Sequence, residues 1–124
     1  MMEPDGWSVD EAADRIKRRR AKRAEEVERR RVRAREWAER VAQQLGASDR
    51  SVERIIGFGS TFETWRNYRM SSDIDLAVVG GDWSHLMRHL PEGEFEVSLV
   101  ELDLQPEEFA RHVESHGVVL YEKR

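Results

Sequence analysis

Ile55-Ile56-Gly57-Phe58-Gly59-Ser60, with Ser72-Asp73-Ile74-Asp75-Leu76 further on, is the stretch that decides the fold; twelve residues separate Ser60 from Asp73. The first segment reads as a strand that ends in Gly-Ser. Glycine has no Cβ, so backbone there can approach a polyphosphate closely, and a hydroxyl and amides at a following helix N-terminus form an anion seat. The second segment reads as a strand in which side chains alternate faces. Asp73 and Asp75 therefore project to one side, while Ile74, Leu76 and Val78 point to the other. Two carboxylates on one face repel unless a cation neutralises them, and Mg²⁺ with oxygen ligands and bound phosphates suits such a pair. A phosphate seat beside a metal-binding carboxylate pair meets the main needs of nucleotidyl transfer, where the protein chiefly positions groups and offsets charge. Gly59, Ser60 and Thr61 are the candidate nucleotide-binding residues, and Asp73 and Asp75 the candidate metal ligands. Either motif alone is common after strands or in turns; their joint occurrence in this order carries the reading.

Around this stretch the texture is that of short strands alternating with helices. Strands are expected at Arg54 to Phe58, Asp73 to Val79 and Phe95 to Glu101. A helix near Trp83 to Leu90 and another from Pro106 to His116 separate the later strands, and Gly117 precedes a final strand at Val118 to Tyr121. The fold class is α+β: a small mixed β-sheet flanked by helices, with a long charged helix at the N-terminal end. Residues 1–36 read as a basic helical extension and 37–124 as the domain.

Ser8-Val9-Asp10-Glu11 has the S-x-x-E pattern of a capping box, with Trp7 placed to staple onto Ala12. Ala13, Ile16, Ala24, Val27, Ala34, Ala38, Val41 and Leu45 then recur at helical spacing, and Gly46 offers a stop. Arg20 and Arg31 interrupt that stripe, so only the second half, with Trp37, Val41 and Leu45, is expected to pack firmly.

The 124 residues have room for one small domain, and with no cysteine neither a disulfide framework nor a thiolate metal site is available. That composition fits a reducing cytoplasm. Apolar runs such as Leu76 to Val79 are too short to span a membrane. The net charge of −4 conceals an asymmetry: Arg15 to Arg35 holds twelve Arg or Lys against three Glu, so this segment carries +9 and the remainder −13. Three readings compete for the basic segment. It is a solvated helix supported by Glu25–Arg29 and Glu26–Arg30 pairs, a surface for a protein partner with an acidic groove, or a nucleic-acid contact. The last is less favoured because no aromatic stands between Arg15 and Arg35.

At Phe58 to Ser60, Ser72 to Leu76 and Gly117-Val118-Val119-Leu120-Tyr121 the chain resembles the nucleotidyltransferase superfamily that includes DNA polymerase β, and within it the minimal nucleotidyltransferases. The resemblance runs from Trp37 to Tyr121. It implies the nucleotidyltransferase fold, ATP as substrate with Mg²⁺, and pairing with a HEPN-type toxin. In such pairs the nucleotidyltransferase is the antitoxin, and some members transfer AMP to the toxin. An oligomer is compatible with the resemblance.

Two departures stand out. The linker Thr61 to Ser72 is longer and bulkier than the family's, which commonly carries a small or basic Ala-Arg-Gly stretch. The family's third carboxylate lies in a V-D-L-V strand, whereas the matching strand here is Val97-Ser98-Leu99-Val100. Glu96 shares the face of Ser98 and is the candidate replacement, giving a catalytic set of Asp73, Asp75 and Glu96. Glu101 and Asp103 would reach the site only through a bulge, and read more simply as strand-end and turn polarity.

The pairs His85/His89 and His112/His116 have i, i+4 spacing but no evident third ligand, and read as solvated or packing histidines. Three functions from different classes follow: transfer of AMP to a partner protein's hydroxyl; a non-catalytic antitoxin that occludes its partner and keeps a vestigial nucleotide site; and transfer to a small molecule or RNA end. The last ranks lowest because it normally needs a second substrate-binding domain.

Overall fold

The structure, a computed structural model, describes residues 8–124; the expected staple from Trp7 lies outside them. Helix α1 (Val9–Ser48) starts where the cap predicts, with the Glu11 N–H donating to Ser8 Oγ at 3.0 Å. Its 40 residues extend about 60 Å at 1.5 Å per residue. Ala, Arg and Glu are good helix formers, and neither proline nor glycine occurs between Val9 and Leu45. The helix does not stop at Gly46. That glycine continues the helix because Tyr121 packs there: a methyl at Gly46 would lie 2.5 Å from the tyrosine ring. The chain leaves the helix at Asp49, whose carboxylate accepts from the Ser51 N–H and Oγ and from the Asp82 N–H. These bonds hold its carboxyl down at a pKa of about 2.

Among the described residues four strands form one mixed sheet in the order β3-β2-β1-β4. They are β1 (Val52–Phe58), β2 (Ile74–Gly80), β3 (Val97–Glu101) and β4 (Val118–Glu122). β1 runs antiparallel to β2 and β4, and β2 runs parallel to β3, to which it connects through helix α2 (Trp83–Arg88). Helix α3 (Glu107–His116) returns the chain to β4.

The two faces of the sheet bury different sets. On one, Ile55, Ile74, Leu76 and Val78 pack against Ala34, Ala38, Val41, Ala42 and Leu45 of α1. On the other, Ile56, Ala77 and Val79 pack with Leu102 and with Val113, Phe109 and Ala110 of α3. The alternation read along β2 is therefore the observed one: Asp75 belongs to the α3 face.

Packing divides α1 unequally. Residues 9–26 are exposed apart from a partly covered Ala12, and contact with the core begins at Val27. Arg31 does not interrupt the buried stripe; it is 7% exposed, and its Nε donates to the Thr61 carbonyl. The pairs Glu25–Arg29 and Glu26–Arg30 are not among the ion pairs of the described residues. Arg30 instead reaches Glu94 and lies over the Phe95 ring.

Candidate functional site

β1 ends at Phe58 and β2 begins at Ile74, so the glycine turn and the aspartates meet at one end of the sheet. Phe58, Asp75 and Ser98 stand side by side across β1, β2 and β3. Gly59 adopts φ +76°, which L-residues rarely take, and a methyl on it would lie 2.5 Å from Asp75 Oδ2. The carboxylate of Asp75 thus occupies the space that a side chain on Gly59 would need. The sequence reading named both residues, but only the structure shows that they touch.

No helix follows Ser60. The Phe62 and Glu63 N–H groups both bond to the Gly59 carbonyl, closing a single turn, after which residues 63–73 run without regular structure. This overturns the expected helix N-terminus as the anion seat and leaves one turn in its place. That turn is tethered to α1, since the Thr61 carbonyl accepts from Arg31 Nε at 3.3 Å and from Arg35 Nε at 2.8 Å. The Thr61 side chain is fully buried, whereas Ser60 is partly exposed.

The residue that sequence reading missed is Glu63. It is 1% exposed; one carboxylate oxygen accepts the Gly59 N–H at 2.5 Å, and the other lies 2.5 Å from His112 Nε2 and 3.4 Å from Arg66 Nε. Glu63 therefore ties the glycine turn to α3. Loss of one partner from such a buried charge-assisted network costs about 1–3 kcal/mol through the group left unsatisfied. A signal was present: Ser60-Thr61-Phe62-Glu63 is another S-x-x-E, in which the glutamate reaches back to an amide at the start of the turn. His112, read as solvated or packing, is the other end of this link. His116 stacks edge-on with Trp65 of the same loop, while His85 and His89 stack on each other at 3.9 Å.

Burial raises the Asp75 carboxyl above the usual carboxylate range, and the charges of Asp73 and Glu63 raise it further, against an opposing pull from Arg66. This is the signature of an acidic pair that a cation would relieve. The donor set fits Mg²⁺: two hard carboxylates, one on the exposed residue just before β2 and one on β2, with the remaining positions open to phosphate and water.

The third carboxylate is another matter. Glu96 is exposed, one residue before β3, and its carbonyl accepts from the Ile74 N–H. It is not among the charges acting on Asp75, and among the described residues no three His, Asp or Glu gather as a metal site. Ser98 is the residue in register with Asp75. Glu101 pairs with Val78 at the far end of the strands, and Asp103 lies beyond it in a 3₁₀ turn, so no bulge brings either to the site.

Residues 42–124 match the family model described as "Polymerase beta, Nucleotidyltransferase". The chain belongs to that family. The nucleotidyltransferase fold is also that of two solved structures. One, a toxin–antitoxin with AMP-PNP, is 22% identical with TM-score 0.54, covering 69% of this chain and 74% of that one. The other, a mutant of the toxin–antitoxin MntA–HpeT, is 21% identical with TM-score 0.52, covering 68% and 72%. No curated protein sequence matches the chain. The family match starts within the second half of α1, so the exposed part of that helix lies outside it. Among the described residues no helix is long and apolar enough to cross a membrane.

Proposed function

We propose that this nucleotidyltransferase domain transfers AMP from ATP, with Mg²⁺, to a hydroxyl of a HEPN-type toxin partner and so acts as an antitoxin in the cytoplasm. The observation that carries the reading is the contact of Asp75 with Gly59 at the end of the sheet, where an anion-accepting turn adjoins an acidic pair. Family membership and the likeness to toxin–antitoxin structures support it. The proposed functional unit is 37–124, braced by Arg31, Ala34 and Arg35 of the extension.

In this reading the Gly59-Ser60-Thr61 turn receives the phosphates through the Ser60 and Thr61 amides and the Ser60 hydroxyl, while Glu63, which takes the Gly59 N–H, together with Arg31 and Arg35 keeps the turn in place. Asp73 and Asp75 would hold Mg²⁺, which supplies charge neutralisation and orientation of the triphosphate when bound. The acceptor hydroxyl oxygen forms a bond to the α-phosphorus, the bond from that phosphorus to the α–β bridging oxygen breaks, and pyrophosphate leaves. The proposed acceptor of the hydroxyl proton is Glu96, whose carboxylate stands exposed just before β3 and must turn toward Asp73 and Asp75 to take it.

A second reading is favoured by one observation, Ser98 standing in register with Asp75 where the family carries its third acid. It makes the protein a non-catalytic antitoxin that occludes its partner and retains nucleotide binding only. Incubation of the protein and its co-encoded partner with labelled ATP and Mg²⁺, followed by intact-mass spectrometry, tests the two. The enzyme reading expects partner mass increased by one AMP per acceptor site. Tight association with unmodified partner establishes occlusion instead.

A further inference from the structure

The first half of α1 is a bare helix. Residues 9–26 lie outside the family match, make no contact with the core that begins at Val27, and extend about 27 Å. Within them, Arg15 to Arg23 holds seven cations in nine residues and no acid. All seven are exposed, and among the described residues none has an ion-pair partner. Helical spacing groups them: Arg15, Arg18, Arg19, Lys22 and Arg23 follow i, i+3, i+4, i+7, i+8 and lie on one face, while Lys17 and Arg20 flank the opposite side.

Such a face needs a polyanion, and the surroundings indicate which kind. A docking helix for a protein groove needs an apolar seam, because interface energy concentrates in buried apolar and aromatic anchors, and exposed ion pairs contribute little. Residues 9–26 offer only Val9 and Ile16 as large apolar groups, both exposed and two helical turns apart along one edge of the cation face, too few to make a seam. A nucleic-acid duplex needs no seam. Its phosphates release counterions to whatever cations replace them, and cations facing more than one way around a helix suit phosphate rows on both sides of a groove. The absence of aromatics, which argues against base stacking, leaves backbone binding untouched.

We infer that Arg15 to Arg23 forms a sequence-independent binding arm for the phosphate backbone of duplex nucleic acid. The arm is carried on a helix whose second half is anchored in the nucleotidyltransferase domain.

Fluorescence anisotropy of the full chain with labelled 20-base-pair duplexes of RNA and of DNA, titrated across a salt series, tests this. If the five cations of the main face each neutralise a phosphate, the slope of log K against log salt is about −4.5 on duplex DNA. Changing Arg15, Arg18, Arg19, Lys22 and Arg23 together to Gln, which preserves helix propensity, removes most of that slope and weakens binding by at least about 10³-fold at low salt. The same arginines changed to Lys retain both slope and affinity; circular dichroism of each variant verifies the helix. The ratio of affinities for the two duplexes identifies the preferred nucleic acid. No binding of either duplex at low salt overturns the inference, as does an undiminished slope in the Gln variant. Tighter binding of polyglutamate than of either duplex overturns it in favour of an acidic protein partner.

Discussion

Replacing Gly59 by alanine perturbs the turn and the acidic pair together. The φ of +76° costs an L-residue about 1–2 kcal/mol, offset by about 0.4–1 kcal/mol from the lower entropy of the unfolded alanine chain. The added methyl would lie 2.5 Å from Asp75 Oδ2, so the carboxylate must also move, by something on the order of 1 Å. A net loss near 1 kcal/mol lowers the melting temperature by about 4–8 °C for a domain of this size class. The functional loss should be larger, because a misplacement of about 1 Å at a reacting centre costs about 10²-fold. Gly80→Ala is the matched control. Its φ is +79° and its methyl would lie 2.3 Å from the Ser51 carbonyl, yet it sits at the opposite end of β2, about 17 Å from Asp75. Both variants should melt lower, but only Gly59→Ala should lose affinity for Mg²⁺·ATP in titration calorimetry. Wild-type affinity in a folded Gly59→Ala protein would refute the argument that this contact builds the site.

Asp75→Asn should raise the melting temperature of the ligand-free protein at neutral pH. The native carboxyl titrates above its unfolded value, so the native state binds more protons between the two pKa values; Asp75 lowers stability as pH rises through that window, and Asn removes the penalty. Melting curves from pH 3 to 8 check this, and a variant no more stable than wild type at pH 7 contradicts it. Glu96→Gln should lower AMP transfer by about 10²–10⁴-fold while sparing ATP binding if Glu96 is the base; a nearly inactive wild type rescued by Ser98→Asp identifies a degenerate site instead. Deletion of residues 1–26 should leave the cooperative thermal transition intact, whereas deletion through Arg35 removes Arg31, Ala34 and both bonds to the Thr61 carbonyl and should lower it markedly.

What the sequence disclosed and what it withheld divide along range of interaction. Strand alternation placed Ile74, Leu76 and Val78 opposite Asp75, and the S-x-x-E at Ser8 marked the start of α1, because both are local patterns. Gly46 misled because its conformation is decided by Tyr121, 75 residues later, and not by its own propensity to end helices. Arg31 looked like a break in the apolar stripe, yet it satisfies the carbonyl of a turn 30 residues away. Glu63 and His112 lie 49 residues apart, in a loop and a helix whose proximity only the sheet topology creates. After Ser60 the chain makes one turn on the Gly59 carbonyl and then leaves the helical path, with Glu63 held between the Gly59 amide and His112 of α3. Among the candidate residues, the face of Asp75 followed from strand alternation, whereas Asp73 lies one residue before β2, near enough for its charge to act on Asp75, and the exposure of Glu96 followed from β3 starting one residue after it.

The central claim is that Gly59 to Asp75 forms a metal-dependent triphosphate site. Titration calorimetry of ATP into the full chain, in Mg²⁺ and in excess chelator, tests it most directly, with Asp73→Asn/Asp75→Asn as the paired variant. Saturable binding is expected in Mg²⁺, lost in chelator and lost in the double variant, because the two carboxylates repel a bare triphosphate. Equal affinity with and without the metal, or unchanged affinity in the double variant, would contradict it.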